Sequence, residues 1–466
     1  MKNFGLFFIL IVKISFAQTW LTLGTAGFSN MDAVDIFSAV APNGEPYVIY
    51  RDPSQITTGA VMKFDGNNWV AVGNHFASGY VSCTTMAFDN TGTPFIAYTD
   101  WANSDKATVM KFDGTNWVAI GTAGFTPGTA SFTSIAIDGN GTPYIAFRDQ
   151  LPSTQYRASV MKFDGVNWVY VGTPGFSSNL NFGGVGYTSL AIDANGIPYV
   201  AFTDLGNNFN ATVMKFDGSN WVNVGAGAIS TDGANNTSIV IDSQGTPYVG
   251  FEDNGNGSKA TVKKFDGNNW VPVGLPGFSS DVAEYTSLSI DNNNVLYLAF
   301  QDYANSEKAT VMTFNGSDWI TVGSAGFSVA DATYTTVAID KNTGSLFVAY
   351  ADGSTPNHNA TVMKYAIVTG ENDIKNRYSM NVYPNPASSV ITVNITTNTP
   401  KEAFTLKLNT SQGKTVYSEV LKEITDSFTK HIDLSFLPKG IYFVELQSTS
   451  PDSSQKKAEV KKIVLQ

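Results

Sequence analysis

Seven aspartates recur at one register of a repeated segment: Asp52, Asp100, Asp149, Asp204, Asp253, Asp302 and Asp352. Each closes a short run of the type Pro-Tyr-Val-Ala-Phe-x-Asp, so each carboxylate falls where a strand gives way to a loop. Carboxylates gathered on one face can hold a cation, take sugar hydroxyls or meet a basic partner. The position also suits a local role, because Asp at a turn accepts hydrogen bonds from the backbone N–H groups that follow. Recurrence in every unit favours the local role, since a single site rarely needs seven copies. Two of the following loops stand out, Asp100-Trp101-Ala102-Asn103-Ser104 and Asp302-Tyr303-Ala304-Asn305-Ser306. Trp101 or Tyr303 can stack on a sugar ring while Asn103, Asn305 and the aspartates take its hydroxyls; the competing reading folds each aromatic onto the neighbouring unit. These four residues and the seven aspartates form the candidate ligand-binding set.

Other chemistry is thinly supplied. His75, His358 and His431 are scattered, and a lone Cys83 excludes an intramolecular disulfide and a Cys-based zinc site. Neither a HExxH nor a GxSxG motif occurs. Glycoside hydrolysis needs a pair of carboxylates; Glu252 and Asp253 are examples of what is present, but the sequence singles out no pair. A sialidase-like site would also need arginines, and the repeat region holds Arg51, Arg148 and Arg157, the first two at equivalent positions. No nucleophile–base constellation is visible, so no catalytic residue is assigned. Asp291-Asn292-Asn293-Asn294 could hold calcium, yet no loop completes an EF-hand pattern, and no other cofactor is implied. A net charge of −11 excludes nucleic acid as a natural partner.

The elements that must position these residues follow from a repeat. A Trp-Val-x-Val-Gly signature recurs with its Trp at 20, 69, 117, 168, 221, 270 and 319, spacings of 48 to 53 residues. Each unit reads as four short strands, for example Thr133 to Ile137, Pro143 to Phe147, Ala158 to Phe163 and Trp168 to Gly172, rich in β-branched and aromatic residues and separated by Gly, Asn and Asp. Four antiparallel strands at this period predict a β-propeller. The first unit supplies only a fourth strand, Trp20 to Gly24, and the last only the first three, ending at Ala360 to Ala366. Joining them completes a seventh blade and leaves no open edge. Tight turns then share one face; the longer loops, such as 122–131 and 149–157, share the other, where binding belongs.

The ends have different roles. Met1 to Ala17 combines Lys2, an apolar run from Phe4 to Val12 and a Ser15-Phe16-Ala17 cleavage site, which reads as a secretory signal peptide; no later stretch approaches a transmembrane length. After Ala366 the repeat stops, and residues 367–377 form a polar linker. Residues 369–466 carry a balance of +2 against −13 for the rest, which marks a second domain. About seven short strands in residues 378–466 predict a small, Ig-like β-sandwich.

Within that domain, Tyr383-Pro384-Asn385-Pro386-Ala387-Ser388, Gly413-Lys414-Thr415-Val416, Leu437-Pro438-Lys439-Gly440-Ile441-Tyr442-Phe443-Val444 and Lys461-Lys462-Ile463-Val464-Leu465 resemble the type A sorting domain of type IX secretion in Bacteroidetes-type bacteria. The resemblance covers about a fifth of the chain. It implies passage through the periplasm and outer membrane, with the secretion machinery and its sortase as partners. It also implies removal of the domain, with release or attachment to surface lipopolysaccharide. The expectation for the whole is an exported, all-β binding or adhesion protein with a glycan or protein ligand. The alternatives are a glycan-cleaving propeller enzyme and a structural surface component without a pocket.

Overall fold

The computed structural model describes residues 17–53, 58–177, 184–368, 378–397, 402–410, 414–424, 427–448 and 458–466. All of the leader but Ala17, most of the linker and the Gln412-Gly413 turn lie outside them. The chain divides into two compact units, Gln18–Ala366 and one that contains Ile367–Gln466.

The first unit is a propeller-like repeat. Its described residues form seven four-stranded antiparallel sheets, here numbered 1 to 7 in chain order. Sheet 3 is typical: Ala130–Ile137, Pro143–Asp149, Arg157–Phe163 and Trp168–Tyr170, paired in that order. The first strands of the other six are Val34–Val40, Val81–Phe88, Val185–Ile192, Ala234–Ile241, Ala283–Ile290 and Ala332–Ile339. Sheet 7 takes its fourth strand from the opposite end of the repeat: Ala17–Thr22 pairs with Asn359–Val368, and the Leu23 N–H reaches the Val362 carbonyl at 2.8 Å. The turns follow the sequence chemistry. In the turn that links the third and fourth strands of sheet 3, Asp164 Oδ1 accepts from the N–H groups of Val166 and Asn167, and Gly165 takes φ 101°, which an L side chain resists.

The repeated Trp joins one sheet to the previous one. Trp69, Trp117, Trp168, Trp221, Trp270 and Trp319 donate Nε1–H to the carbonyls of Leu23, Val72, Ile120, Val171, Val224 and Val273, at 2.7 to 2.8 Å. Trp20 donates to Val322 at 2.7 Å. Most of these indoles also meet a Phe of the preceding unit's Gly-Phe loop, as Trp168 does on Phe125 at 4.2 Å and Trp20 on Phe327 at 4.1 Å. The repeated Trp and Phe are therefore packing between units. Trp270 lacks this partner because Ile229 occupies the Phe position: its N–H bonds the Ala211 carbonyl as that of Phe176 bonds Ala158.

Sheet geometry departs from the sequence expectation at both edges. The fourth strands are mostly three residues long. The first strands begin about three residues earlier than the Thr-Ser-Ile-Ala-Ile pattern, and all seven carry a register shift near their start.

The C-terminal unit has two sheets. One orders Tyr378–Tyr383, Val390–Thr397 and Ser427–Asp433; the other orders Thr415–Ile424, Glu402–Thr410, Gly440–Ser448 and Ala458–Leu465. Alternate residues from both, including Ile391, Val393 and Ile395 against Phe404, Leu406, Leu446 and Ile463, form one buried core. Ser427–Asp433 is a strand that the sequence reading did not single out; its sparse apolar content, with Ile432 as its buried residue, hides it.

Candidate functional site

The register shifts build the site. At each, one non-glycine residue takes a positive φ of 50 to 53°: Asp35, Cys83, Phe132, Tyr187, Asn236, Tyr285 and Tyr334. Such a conformation is uncommon outside Gly, and β-bulges impose it where a side chain must be re-aimed. In sheets 2 to 6 the following Thr ties the bulge to the unit before: Thr84 Oγ1 donates to the Asp35 carbonyl at 2.5 Å, Thr133 to Cys83, Thr188 to Phe132, Thr237 to Tyr187 and Thr286 to Asn236; in sheet 1 that position is Ile36. In sheet 7 the hydroxyl of Thr335 turns back to Ala332 instead. The bulge residue and its two successors from every first strand line one cavity of about 340 Å³.

Within an otherwise constant repeat, the bulge residue changes from unit to unit. So does the cross-strand pair just before it. These pairs are Val34 with Arg51, Ser82 with Thr99, Ser131 with Arg148, Gly186 with Thr203, Asn235 with Glu252, Glu284 with Gln301 and Thr333 with Ala351. One position outward from the residues that line the cavity, the sheets are therefore divided in charge. Sheets 1 and 3 carry arginines, and sheets 5 and 6 carry glutamates.

On the arginine side, the Arg51 guanidinium lies 4.6 Å from the Tyr80 ring centre, and Tyr80 packs on Trp101 at 4.1 Å. Arg148 Nε donates to Ser131 Oγ at 2.9 Å, and its guanidinium lies 4.8 Å from Phe132 and 5.9 Å from Tyr156. Burial lowers the Arg148 pKa from its usual value. Burial raises that of Asp35 despite the opposing charge of Arg51.

On the glutamate side, Glu252 accepts from Asn235 and Asn236, and burial, aided by the Glu284 charge, raises its carboxyl above the usual range. Burial, aided by the nearby Glu284 charge, raises the Tyr303 phenol. Burial also raises Tyr187, Tyr285 and Tyr334, the last to about 12, with nearby carboxylates adding to each shift. These phenols stay protonated at neutral pH and serve as hydroxyl contacts rather than phenolate nucleophiles. Burial pushes the Cys83 thiol up as well, which leaves it a weak nucleophile.

The residues singled out by sequence fall in three places. The seven aspartates are 0 to 4 % exposed, inside the wall rather than on its surface. Their recurrent partner is a third-strand hydroxyl: Thr108 on Asp100, Ser159 on Asp149, Thr261 on Asp253, Thr310 on Asp302 and Thr361 on Asp352, at 2.7 to 2.9 Å. Backbone N–H groups reach Asp204, Asp302 and Asp352. Asp52 meets His75 Nε2 at 3.4 Å. The amides of Asn103 and Asn305 fold back onto Asp100 and Asp302, at 2.9 and 2.8 Å. Trp101 and Tyr303 stay exposed, at 53 and 38 %, and reach opposite sides of the rim through Tyr80 and Glu284. The bulge residues were not singled out. Their signal was the pair of positions before the Thr-Ser or Thr-Thr step of most units, which vary while that step recurs.

Among the described residues no group of three or more His, Cys, Asp or Glu side chains could hold a metal ion. Asp291 Oδ1 caps its own turn, accepting from Asn293 and Val295. No helix among the described residues is long and apolar enough to cross a membrane.

A family model described as the secretion system C-terminal sorting domain matches residues 381–466. No curated protein matches the chain. Among solved structures, a polysaccharide lyase of family PL25, an ulvan lyase bound to -[GlcA(1-4)Rha3S]-, is similar at 13% identity and a TM-score of 0.49, over 74% of this chain and 95% of that one. The Trypanosoma rangeli sialidase in complex with the inhibitor DANA gives 11% identity and 0.44, over 96% and 90%. The Aleuria aurantia lectin gives 12% and 0.43, over 65% and 97%. The C-terminal unit is thus a type IX sorting domain, which directs export to the outer cell surface or secretion.

Proposed function

We propose that residues 18–366 form a closed seven-bladed propeller that binds a glycan at the mouth of its central cavity, and that residues 378–466 deliver it to or beyond the cell surface. Support for closure comes from the Trp bonds, which step from sheet to sheet and return from Trp20 to Val322. The observation that carries binding is the coincidence of sequence variation with geometry. Scaffold positions repeat, whereas the positions that differ between units, with Phe132, Tyr187, Tyr285 and Tyr334 beside Asn and hydroxyl groups, meet at one concave opening. Aromatic faces for ring C–H groups and short polar side chains for hydroxyls are what a sugar site requires. The sorting machinery and its sortase are the partners during export, and surface lipopolysaccharide is the attachment point where the protein is retained.

A glycan array probed with the full chain tests this. Wild-type binding should weaken with Tyr187→Ala and Tyr285→Ala, and with Trp101→Ala at the rim. Absence of any glycan signal, with self-assembly on the cell surface, would instead assign a structural role. One observation favours a second reading, glycan cleavage: Glu252 and Glu284 stand on neighbouring sheets within electrostatic reach, and the first is biased toward its protonated form. Turnover of a glycan, lost in both Glu252→Gln and Glu284→Gln, would establish it.

A further inference from the structure

We propose that the ligand is an acidic glycan and that Arg51 and Arg148 hold its carboxylate or sulfate groups. This deepens the glycan reading of the mouth by giving the ligand a charge class.

The repeat region contains three arginines. Arg157 is consumed by its own loop, donating to the carbonyls of Thr154 and Ser153 at 2.8 and 3.2 Å. Arg51 and Arg148 share one register, two sheets apart, each in the cross-strand pair next to the bulge residue that lines the cavity. Among the described residues neither comes within 4.0 Å of a carboxylate. Arg51 Nε is buried without a hydrogen-bond partner, and Arg148 uses Nε on a neutral hydroxyl. Leaving guanidinium donors unmatched in partly buried positions is unfavourable unless an acceptor arrives. A guanidinium resting on an aromatic ring keeps its fork of N–H groups free at the edge, the geometry that takes a planar or tetrahedral oxyanion.

The surroundings fit one orientation of such a ligand. Between the two arginines, sheet 2 offers Ser82, Cys83 and Thr99, none charged at neutral pH. Asp35, the acid on this side, is bonded to the Cys83 N–H at 3.2 Å and biased by burial toward its neutral form. Across the cavity, Glu252 and Glu284 repel an anion and accept from hydroxyls. An acidic sugar therefore sits by the arginines, and an uncharged sugar by the glutamates. The cavity, about 340 Å³ and lined by aromatic rings and hydroxyls, admits a sugar residue rather than a flat protein surface.

The test is a glycan array of neutral, carboxylated and sulfated oligosaccharides, followed by titration calorimetry of the full chain with the strongest ligand. Acidic members should bind at least about tenfold tighter than their neutral counterparts, and rising NaCl should weaken them. The carboxylated and sulfated arms show which group is recognised. Arg51→Gln and Arg148→Gln should each weaken acidic binding about 10- to 100-fold without lowering neutral binding, a range set by charged hydrogen bonds. If a Gln variant fails to fold, Arg51→Lys and Arg148→Lys carry the test: charge is kept, the fork is lost, and affinity should fall between wild type and Gln. Equal affinity for neutral and acidic members, or indifference to both arginines, overturns this inference and leaves the glycan reading standing. No glycan binding at all overturns both. Arginine-dependent binding of poly-glutamate with no glycan bound assigns an acidic peptide instead and overturns both.

Discussion

Trp20→Ala isolates ring closure from every other feature of the fold. Trp20 is 6 % exposed, donates to Val322 at 2.7 Å, stacks on Phe327 at 4.1 Å and leans on Tyr365 at 5.2 Å. Truncating a buried Trp costs about 3–5 kcal/mol. The Val322 carbonyl loses its donor, and an unmatched buried acceptor costs about 1–3 kcal/mol more, part of which overlaps the first figure. A loss of about 4 kcal/mol corresponds to a fall in Tm of roughly 5–6 °C for a unit of this size, at about 1.4 °C per kcal/mol. Trp168→Ala, in the middle of the repeat, removes the same contacts, Ile120 at 2.8 Å and Phe125 at 4.2 Å, and supplies the control. In a closed ring both substitutions loosen one of seven equivalent joints, and the two melting curves should fall together. In an open array Trp20 would sit on a terminal strand whose loss frays only the end. Scanning calorimetry of the full-length variants decides the matter. A Trp20→Ala melting temperature within about 1 °C of wild type, beside a large fall for Trp168→Ala, would refute closure and the central mouth with it.

Three further outcomes are expected. Trp270→Ala should destabilise less than Trp168→Ala by about 1 kcal/mol, because Ile229 offers no ring to stack on; thermal melts compare them. Asp204 is pushed up to about 6 by burial. Its folded value thus exceeds its unfolded one, so its contribution is intact below about pH 4, and stability drains away as pH rises from about 4 to 6. Asp204→Asn keeps an acceptor for the Gly206 N–H and should raise the melting temperature at pH 8, by about 1–3 kcal/mol of stability, and change it little at pH 4. Mass spectrometry of the protein exported by its native host should find a start at Gln18 and loss of everything after roughly residue 370, where the linker offers an accessible cut; an intact C-terminus on secreted material would contradict the sorting role.

The upward shift of Asp204 has its cause in one broken pattern. In sheets 2, 5 and 6 a third-strand Thr donates to the aspartate, through Thr108, Thr261 and Thr310, and an Asn three residues after the aspartate adds a second bond. Thr212 occupies the same register opposite Phe202, yet its hydroxyl is buried without a partner. Asp204 is left with the N–H groups that cap the short turn at Leu205–Asn207, too few to offset desolvation. The general role of the column was legible from its recurrence. The partner was not, because a sequence shows which residues alternate but not which hydroxyl turns toward which carboxylate.

The same contrast explains what the sequence yields about function. The Trp-Val-x-Val-Gly signature, the Asp-Gly turns and the mismatched ends all announce the sheets, because a scaffold must satisfy identical packing in every unit and so repeats its residues. The aspartates, the most regular polar feature, are 0 to 4 % exposed wall, in keeping with the local role that their recurrence favours. A binding site on a rotationally repeated scaffold obeys the opposite rule. On the proposed reading, a ligand at the one central mouth lacks sevenfold symmetry, so the residues that would touch it differ from unit to unit while the backbone that presents them stays the same. Asp35, Cys83, Phe132, Tyr187, Asn236, Tyr285 and Tyr334 meet that condition: seven φ values within 3° of each other beneath five different residue types. Arg51, Arg148, Glu252 and Gln301 meet it one residue pair further out. Trp101 and Tyr303 were found because they too depart from their column. On that reading the constant residues describe the fold, and the variable ones at a constant register describe the proposed ligand.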